Sequence, residues 1–289
     1  MSGSGGLAYS RGMTEDVQEF VRRVLAEDLG SGGDVTSAAT IARDARFTAV
    51  MNCREPIVVA GLDVASAFFR ALDRDVRIET LVADGDAVER GSVLMRLQGN
   101  ARAMLAAERS ALNTLQHLSG IATMTRRYVQ AIEGTGATLL DTRKTIPGLR
   151  LLDKYAARMG GAENHRMRLD DGVLIKDNHV AVCGGVAEAV RAAKAANTGL
   201  QVQVEVDRVA QIAPALEAGA DRLLLDNMDL GTLREAVALV AGRVPLEASG
   251  GVNLDTIRGI AETGVDYISV GRITQSAPAV DIGLDYVLA

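Results

Sequence analysis

Six short apolar runs in the second half of the chain, each ending in polar residues, limit the fold more than any other feature. They are TLLDTRK at 138–144, VLIKDN at 173–178, VQVEVD at 202–207, RLLLDN at 222–227, VPLEASGG at 244–251 and DYISVG at 266–271. Ala-rich segments of helical character, such as VAEAVRAAKAA and LGTLREAVALVAG, separate the later runs. Strands that are apolar along their whole length are covered on both faces, which in an α/β chain means a parallel sheet flanked by helices. Six such units, each with functional-looking groups just past a strand, predict a closed or nearly closed α/β barrel with its site at the C-terminal strand ends. A doubly wound open sheet is the alternative. Neither a G-x-G-x-x-G turn nor a Walker loop follows an early strand, which counts against its nucleotide-binding versions.

The stretch from Asp141 to Val180 carries the chemistry. It gathers Arg143, Lys144, Arg150, Lys154, Arg158, His165, Arg166, Arg168, Lys176 and His179 in a chain whose formal net charge is −6. Three of the four lysines and two of the three histidines lie here. Arg forks and Lys point charges suit phosphates and carboxylates, so the cluster predicts a pocket for a small polyanion. The opposing reading is a solvated basic face. Pro147-Gly148, Gly160-Gly161 and Asn164-His165-Arg166 favour the pocket, because they are turn residues and not the periodic face of a surface helix.

Composition excludes several classes. An acidic balance with pI near 5.2 lacks the basic footprint of a nucleic-acid binder, and with no Trp, four Phe and five Tyr there are few platforms for stacking bases. No apolar window approaches a membrane span of about 18 residues, and MSGSGGLAYSRGM lacks the basic and apolar regions of a signal peptide. Cys53 and Cys183 fit no metal or disulfide spacing and read as buried small hydrophobes in a reducing compartment. The expectation is a soluble, cytoplasmic protein.

Taken in order, residues 1–12 are Gly/Ser-rich and read as disordered. Thr14 reads as the N-cap of a helix ending near Gly30. In the loop EDLGSGGDVTS that follows, Asp28, Asp34 and Thr36 are placed to cap, turn or bind. Ala45–Gly61 is strand-like, Asp63–Leu72 helical, and VRIETLVADGDAVERGSVLMRL at 76–97 alternates like a β-meander. That last pattern resembles the small sandwich of biotinyl and lipoyl carriers. Those carriers modify a lysine, and none precedes Lys144, so a carrier role fails on chemistry. Asn100–Glu133 is strongly helical with an expected break at Ser119-Gly120; alone, Arg109 reads as a helix-surface arginine and His117 as a satisfied packing histidine.

At the predicted strand ends, Arg143, Lys144 and Lys176 meet His165-Arg166 from the intervening connection. Glu205 and Asp226 project from the next two strands, and Ser249-Gly250-Gly251 and Gly271-Arg272 close the ring. Gly-rich turns at helix N-termini cradle phosphate. Two acids suit sugar hydroxyls, or Mg²⁺ through water. A cradle, two acids and a basic wall describe a phosphorylated sugar meeting an anionic partner.

DTRKTIPGLR, GGAENHR, DGVLIKDNH, VEVD, LLDN and EASGG with VGRIT, in this order and spacing, resemble the quinolinate phosphoribosyltransferases, the carboxylating-type nicotinate-nucleotide pyrophosphorylases of NAD synthesis. The resemblance runs from about Glu27 to Asp285 and takes in AGLD at 60–63, DGDAVERG and ERSALNTLQHLSGIAT. It implies an N-terminal open α/β sandwich over 13–118 and a C-terminal incomplete (β/α) barrel over 119–274, with the 275–289 tail packing back on the first domain. It implies a homodimer in which Arg109 enters the neighbour's site. Arg109, Arg143, His165, Arg166 and Lys176 are then expected to hold the two carboxylates of quinolinate, and Lys144 and Lys176 to face the pyrophosphate of phosphoribosyl pyrophosphate. Glu205 and Asp226 are expected on ribose hydroxyls, and Ser249, Gly250, Gly251 and Gly271 on the 5′-phosphate. Lys144, Lys176, Glu205 and Asp226 are the implied catalytic set, with Mg²⁺ as cofactor carried by the pyrophosphate and water near the two acids.

The chain departs from the common pattern at Ile146 (often Thr), at Ala162-Glu163 (usually Gly and a small or basic residue), at Arg168 (commonly Gly) and at Gln275 (His in some members). None removes a charged contact, although Glu163 adds an acid near a dianion site. Relatives with other substrates, namely the molybdenum-utilisation homologue and nicotinate phosphoribosyltransferase, are the competing assignments. Three arginines with His165 favour a dicarboxylate over a single carboxylate. Intact Lys144, Lys176, Glu205 and Asp226 argue against a silent phosphosugar sensor.

Overall fold

The computed structural model describes residues 11–287. The chain divides into two compact units, one running to Gly120 and resuming at Ala279, the other spanning Ile121–Pro278.

The first unit begins with helix α1 (Arg11–Leu29) and the short helix α2 (Val35–Thr40). Helix α1 starts upstream of Thr14, which therefore lies inside the first turn and not at a cap, where the backbone must be non-helical. The expected disorder of 1–12 otherwise lies outside the described residues. Asp34 is a cap: its carboxylate accepts from the Ser37 N–H at 3.0 Å and from the Ser37 hydroxyl. Strands β1 (Arg46–Cys53) and β2 (Ile57–Val58), helix α3 (Leu62–Leu72), and strands β3 (Arg77–Thr80), β4 (Ala87–Val88) and β5 (Val93–Asn100) follow. The expected meander is only partial, since β3 pairs with β5 while β4 pairs with β2. Cys53 is buried with its thiol donating to the Glu89 carbonyl at 3.0 Å.

Helix α4 (Ala101–Ala131) runs without the break expected at Ser119-Gly120. A helical Ser can compete for its own backbone, but Ser119 Oγ is engaged elsewhere, accepting from the Ala60 N–H at 3.1 Å.

The second unit holds all six apolar runs as strands: β6 (Thr138–Leu140), β7 (Val173–Ile175), β8 (Val202–Val206), β9 (Arg222–Asp226), β10 (Leu246–Ser249) and β11 (Tyr267–Ser269). Every pairing between them is parallel, in the order β6-β11-β10-β9-β8-β7. The first strand of the unit thus lies beside the last, as in a barrel. No ladder joins β6 to β7, and the free edge of β6 carries only a bridge from Leu140 to Glu163. The architecture is an incomplete barrel. Its core is aliphatic, with Val204, Leu223, Leu225 and Ile268 fully buried. In the first unit, β12 (Ile282–Tyr286) returns to pair antiparallel with β1, completing the sheet β12-β1-β5-β3.

Helix α5 (Arg150–Gly160) fills the β6-to-β7 connection and corrects the view of the basic stretch as turns. Arg150, Lys154 and Arg158 fall at i, i+4 and i+8 of this helix, and Lys154 is wholly buried. Its ammonium donates to Asp141, which is also wholly buried. The same carboxylate accepts from Asn164 Nδ2 at 2.5 Å and the His165 N–H at 2.8 Å. Burial pushes the aspartic acid up and the lysine down from their ordinary ranges, each opposed by the partner's charge. Close approach to α4 positions α5. A Cβ at Gly160 would lie 2.6 Å from the Ala122 carbonyl oxygen and 2.4 Å from Thr125 Cβ.

Two substitutions test this frame. Lys154→Met leaves a buried carboxylate unpaired and is expected to cost about 3–5 kcal/mol, with Asp141→Asn added to it recovering part of the loss in denaturant melts. Gly160→Ala drives a methyl into backbone that cannot rotate away and is expected to lower stability by about 1–3 kcal/mol in the same assay.

Candidate active site

Eleven of the twelve candidate site residues line one cleft of about 800 Å³ at the C-terminal ends of the barrel strands. Chain direction explains this convergence. In a parallel sheet every strand exits on the same side, so residues following β6, β7, β10 and β11 meet those ending β8 and β9. The twelfth, Arg109, is exposed on α4 in the other unit, its guanidinium 3.5 Å from Asn113 Oδ1.

One wall is basic. Arg143, Lys144, His165, Arg166 and Lys176 line it. The other basic residues of the stretch do not. Lys154 is buried beneath, Arg150 contacts Thr145 Oγ1 and the Met167 carbonyl, and Arg168 pairs with Asp170 at 2.9 Å. His179 instead caps helix α6 (Asp177–Cys183), accepting the Lys176 N–H through Nδ1 at 3.0 Å. Cys183, expected to be buried, is exposed at the end of this helix, none of whose residues is buried. Arg166 lies close to Arg143: burial, then that like charge, lowers it from the usual arginine range. Its guanidinium donates to the Gly172 carbonyl at 2.9 Å, while the buried Arg143 Nε has no protein partner. Two crowded guanidiniums, one unsatisfied, are a site that an anion stabilises.

Beside Lys144 the cleft is lined by a glycine cradle. Gly250 has φ +96° and a Cβ there would lie 2.2 Å from Asn227 Oδ1; Gly251 has φ +60°. At Gly271 a Cβ would lie 2.7 Å from Lys144 Cδ, so its missing side chain makes room for the lysine stem. Backbone this open presents N–H groups to a phosphate. Gln275 lines this part of the cleft, as does Arg272.

Glu205 and Asp226 line the same cleft from β8 and β9. Lys176 Nζ donates to Glu205 Oε2. Burial, then the charge of Glu205, raises the Asp226 carboxyl above its usual range, partly opposed by Asn227 Nδ2 donating at 2.7 Å. Among the described residues no group of three or more His, Cys, Asp and Glu forms a metal cage. Glu205 and Asp226, two carboxylates lining one cleft, are nonetheless a donor set that suits Mg²⁺, which keeps much of its water.

The sequence reading missed what lies under the floor. Glu247, in β10, is completely buried yet charged. Its Oε2 accepts from Gln203 Nε2 at 2.8 Å, pairs with Arg222 at 2.8 Å and faces His165 Nε2 at 3.4 Å. Arg222 stacks on Tyr267, 3.8 Å from the ring centroid. Burial raises this acid, but His165, Arg222 and Ser269 together outweigh it and hold it down at about 2. An acid inside an otherwise apolar run was the available signal. Glu163 is exposed at the β6 edge and does not line the cleft, and Ile146 and Arg168 are likewise exposed and outside it.

Comparison with known proteins fits this geometry. The model described as "Quinolinate phosphoribosyl transferase, N-terminal domain" matches residues 34–119, and that of the C-terminal domain matches 121–285. A nicotinate-nucleotide pyrophosphorylase [carboxylating] of Mycobacterium leprae is 45% identical, with 93% of this chain and 96% of that protein covered. A probable nicotinate-nucleotide pyrophosphorylase [carboxylating] of Bacillus subtilis is 39% identical, with 94% of each covered. The solved structure of the Francisella tularensis nicotinate-nucleotide pyrophosphorylase superposes with a TM-score of 0.91 at 42% identity, over 94% of this chain and 96% of that one. With both domain models matched and identity this high along nearly the whole length, the chain belongs to the quinolinate phosphoribosyltransferase family.

Proposed function

We propose that the protein transfers the phosphoribosyl group of phosphoribosyl pyrophosphate to the ring nitrogen of quinolinate with loss of CO₂, giving nicotinate mononucleotide and pyrophosphate for NAD synthesis. The observation that carries this reading is one cleft that holds a basic cluster, a glycine cradle and two carboxylates. Family membership supports it.

On this reading Arg143, Arg166, His165 and Lys176 clamp the two carboxylates, and Ser249, Gly250, Gly251 and Gly271 take the 5′-phosphate. Glu205 and Asp226 accept from ribose hydroxyls and orient the anomeric carbon. The bond from that carbon to pyrophosphate breaks with its electron pair leaving on oxygen, where Lys144 and Lys176 stabilise the charge. The pyridine nitrogen, held in line by the clamp, captures the oxocarbenium-like carbon, so positioning takes the place of a protein nucleophile. The ring is then a pyridinium. The electrons of the adjacent carbon–carboxylate bond remain on the ring carbon as CO₂ departs, and that carbon takes a proton from water. Glu205 and Asp226 are the residues that would hold hydrated Mg²⁺, which when bound would supply further charge neutralisation.

We also propose a cytoplasmic homodimer in which Arg109 of one copy completes the clamp of the other. The exposure of Arg109 on α4 supports its availability. Among the described residues no helix is long and apolar enough to cross a membrane.

The deciding assay supplies phosphoribosyl pyrophosphate and Mg²⁺ with quinolinate or nicotinate and measures CO₂ and nicotinate mononucleotide. Both products from quinolinate, and no turnover of nicotinate, are expected; turnover of nicotinate alone would reassign the substrate. A pH profile tests Asp226. The Asn227 hydrogen bond favours its ionised form, so removing it raises the pH at which the carboxylate is lost. Asn227→Gly also tolerates the φ of +55° at this position. The acid limb of kcat/KM for phosphoribosyl pyrophosphate is therefore expected to move to higher pH in this variant.

A further inference from the structure

Beneath the basic wall lies a charged group that the proposed reaction does not use. Glu247 is fully buried, and a bare negative charge under a dianion site would oppose binding. Three groups answer it: Gln203 Nε2 at 2.8 Å, Arg222 at 2.8 Å and His165 Nε2 at 3.4 Å, all toward the same oxygen, Oε2. His165 is held on three sides. Its N–H donates to Asp141 Oδ1 at 2.8 Å, and its Nδ1 accepts the Arg166 N–H at 2.7 Å. An accepting Nδ1 puts the ring proton on Nε2, the nitrogen that faces Glu247.

We infer that Glu247 is a positioning residue that acts through His165: its carboxylate holds the imidazole with Nε2 protonated, and the ring's other nitrogen fixes the Arg166 peptide and so the direction of the carboxylate clamp. The order of charge runs from buried acid to imidazole to the Arg143–Arg166 pair, so the negative group, solvent-inaccessible although it lines the same cleft, orients the positive ones. Outer partners of this kind set the tautomer and direction of a functional histidine. Asp141 anchors the same step from its backbone side, which leaves Glu247 responsible for the ring. The inference rests on the quinolinate reading for its kinetic consequence, but the ring geometry is independent of it.

The test is a double-mutant cycle on the full-length protein with Glu247→Gln, His165→Asn and the double variant, measuring kcat and KM for each substrate. Glu247→Gln is expected to raise KM for quinolinate about tenfold while KM for phosphoribosyl pyrophosphate changes less than about twofold. The double variant should be no worse than His165→Asn alone. Additive losses, or an equal rise in both KM values, would overturn the proposal, because an acid that only props the barrel floor weakens both substrates and couples to His165 no more than to its other neighbours. Should Glu247→Gln fold poorly, Glu247→Gln with Arg222→Met removes both charges together, and the same cycle is read.

A second readout needs no turnover. The chain has three histidines, so His165→Asn assigns the His165 ring in long-range ¹H–¹⁵N spectra. The expected result is an unprotonated Nδ1 and a protonated Nε2 whose resonance shifts in Glu247→Gln. An Nδ1–H tautomer, or a ring signal indifferent to Glu247→Gln, would refute the coupling. Absent quinolinate turnover by the wild type would sink the substrate assignment, while this spectrum would still decide the role of Glu247.

Discussion

The buried carboxylate of Asp141 is the contact on which the catalytic half of the molecule depends. It stands one residue past β6 and takes three donors: the Lys154 ammonium, the Asn164 amide and the His165 backbone N–H. These come from the interior of a helix and from the loop beyond it. One side chain therefore joins the strand end, the helix that follows and the segment that carries the clamp. A buried ion pair is poor evidence of net stability, since desolvation cancels much of the attraction. Its value here is geometric. Together with the Leu140–Glu163 bridge and the His165–Glu247 contact, it fixes the His165-Arg166 step against Arg143.

Such a device explains how a cleft can hold so much positive charge. Arg143 and Arg166 repel, an unfavourable pairing partly offset by Asp171 that an arriving anion would relieve. A site tuned this way must be supported by groups that do not themselves neutralise it. Asp141 is answered by Lys154 and Glu247 by Arg222, so neither acid draws the clamp arginines away from the cleft.

The sequence made the frame legible for a simple reason. A strand covered on both faces must be apolar throughout, and it must turn polar where it leaves the barrel; runs such as RLLLDN therefore announce both the strand and its contribution to the cleft. Glycines 250 and 271 were likewise readable as close-approach positions. What failed to show was environment. Lys154 looks like Arg150 and Lys176 in the sequence, and only its burial separates a scaffold cation from a ligand cation. Glu247 reads as one more strand-end acid beside Glu205, although it is fully buried. Ser119-Gly120 resembled a helix break because the hydroxyl's partner, Ala60, is 59 residues away. Cys183 was misjudged by residue type, being exposed on a helix with no buried face.

The gap between β6 and β7 has a consequence for how the protein loses order. Five parallel ladders tie the sheet from β6 through β11 to β7, and none spans the interval containing α5, Asn164, His165 and Arg166. That interval is secured by the Asp141 cluster and the single Glu163 bridge. With no ladder across the seam, this interval is expected to exchange before the strands do. On the proposed function, a dicarboxylate held between Arg143, after β6, and Lys176, after β7, would act as the missing staple and make the barrel whole.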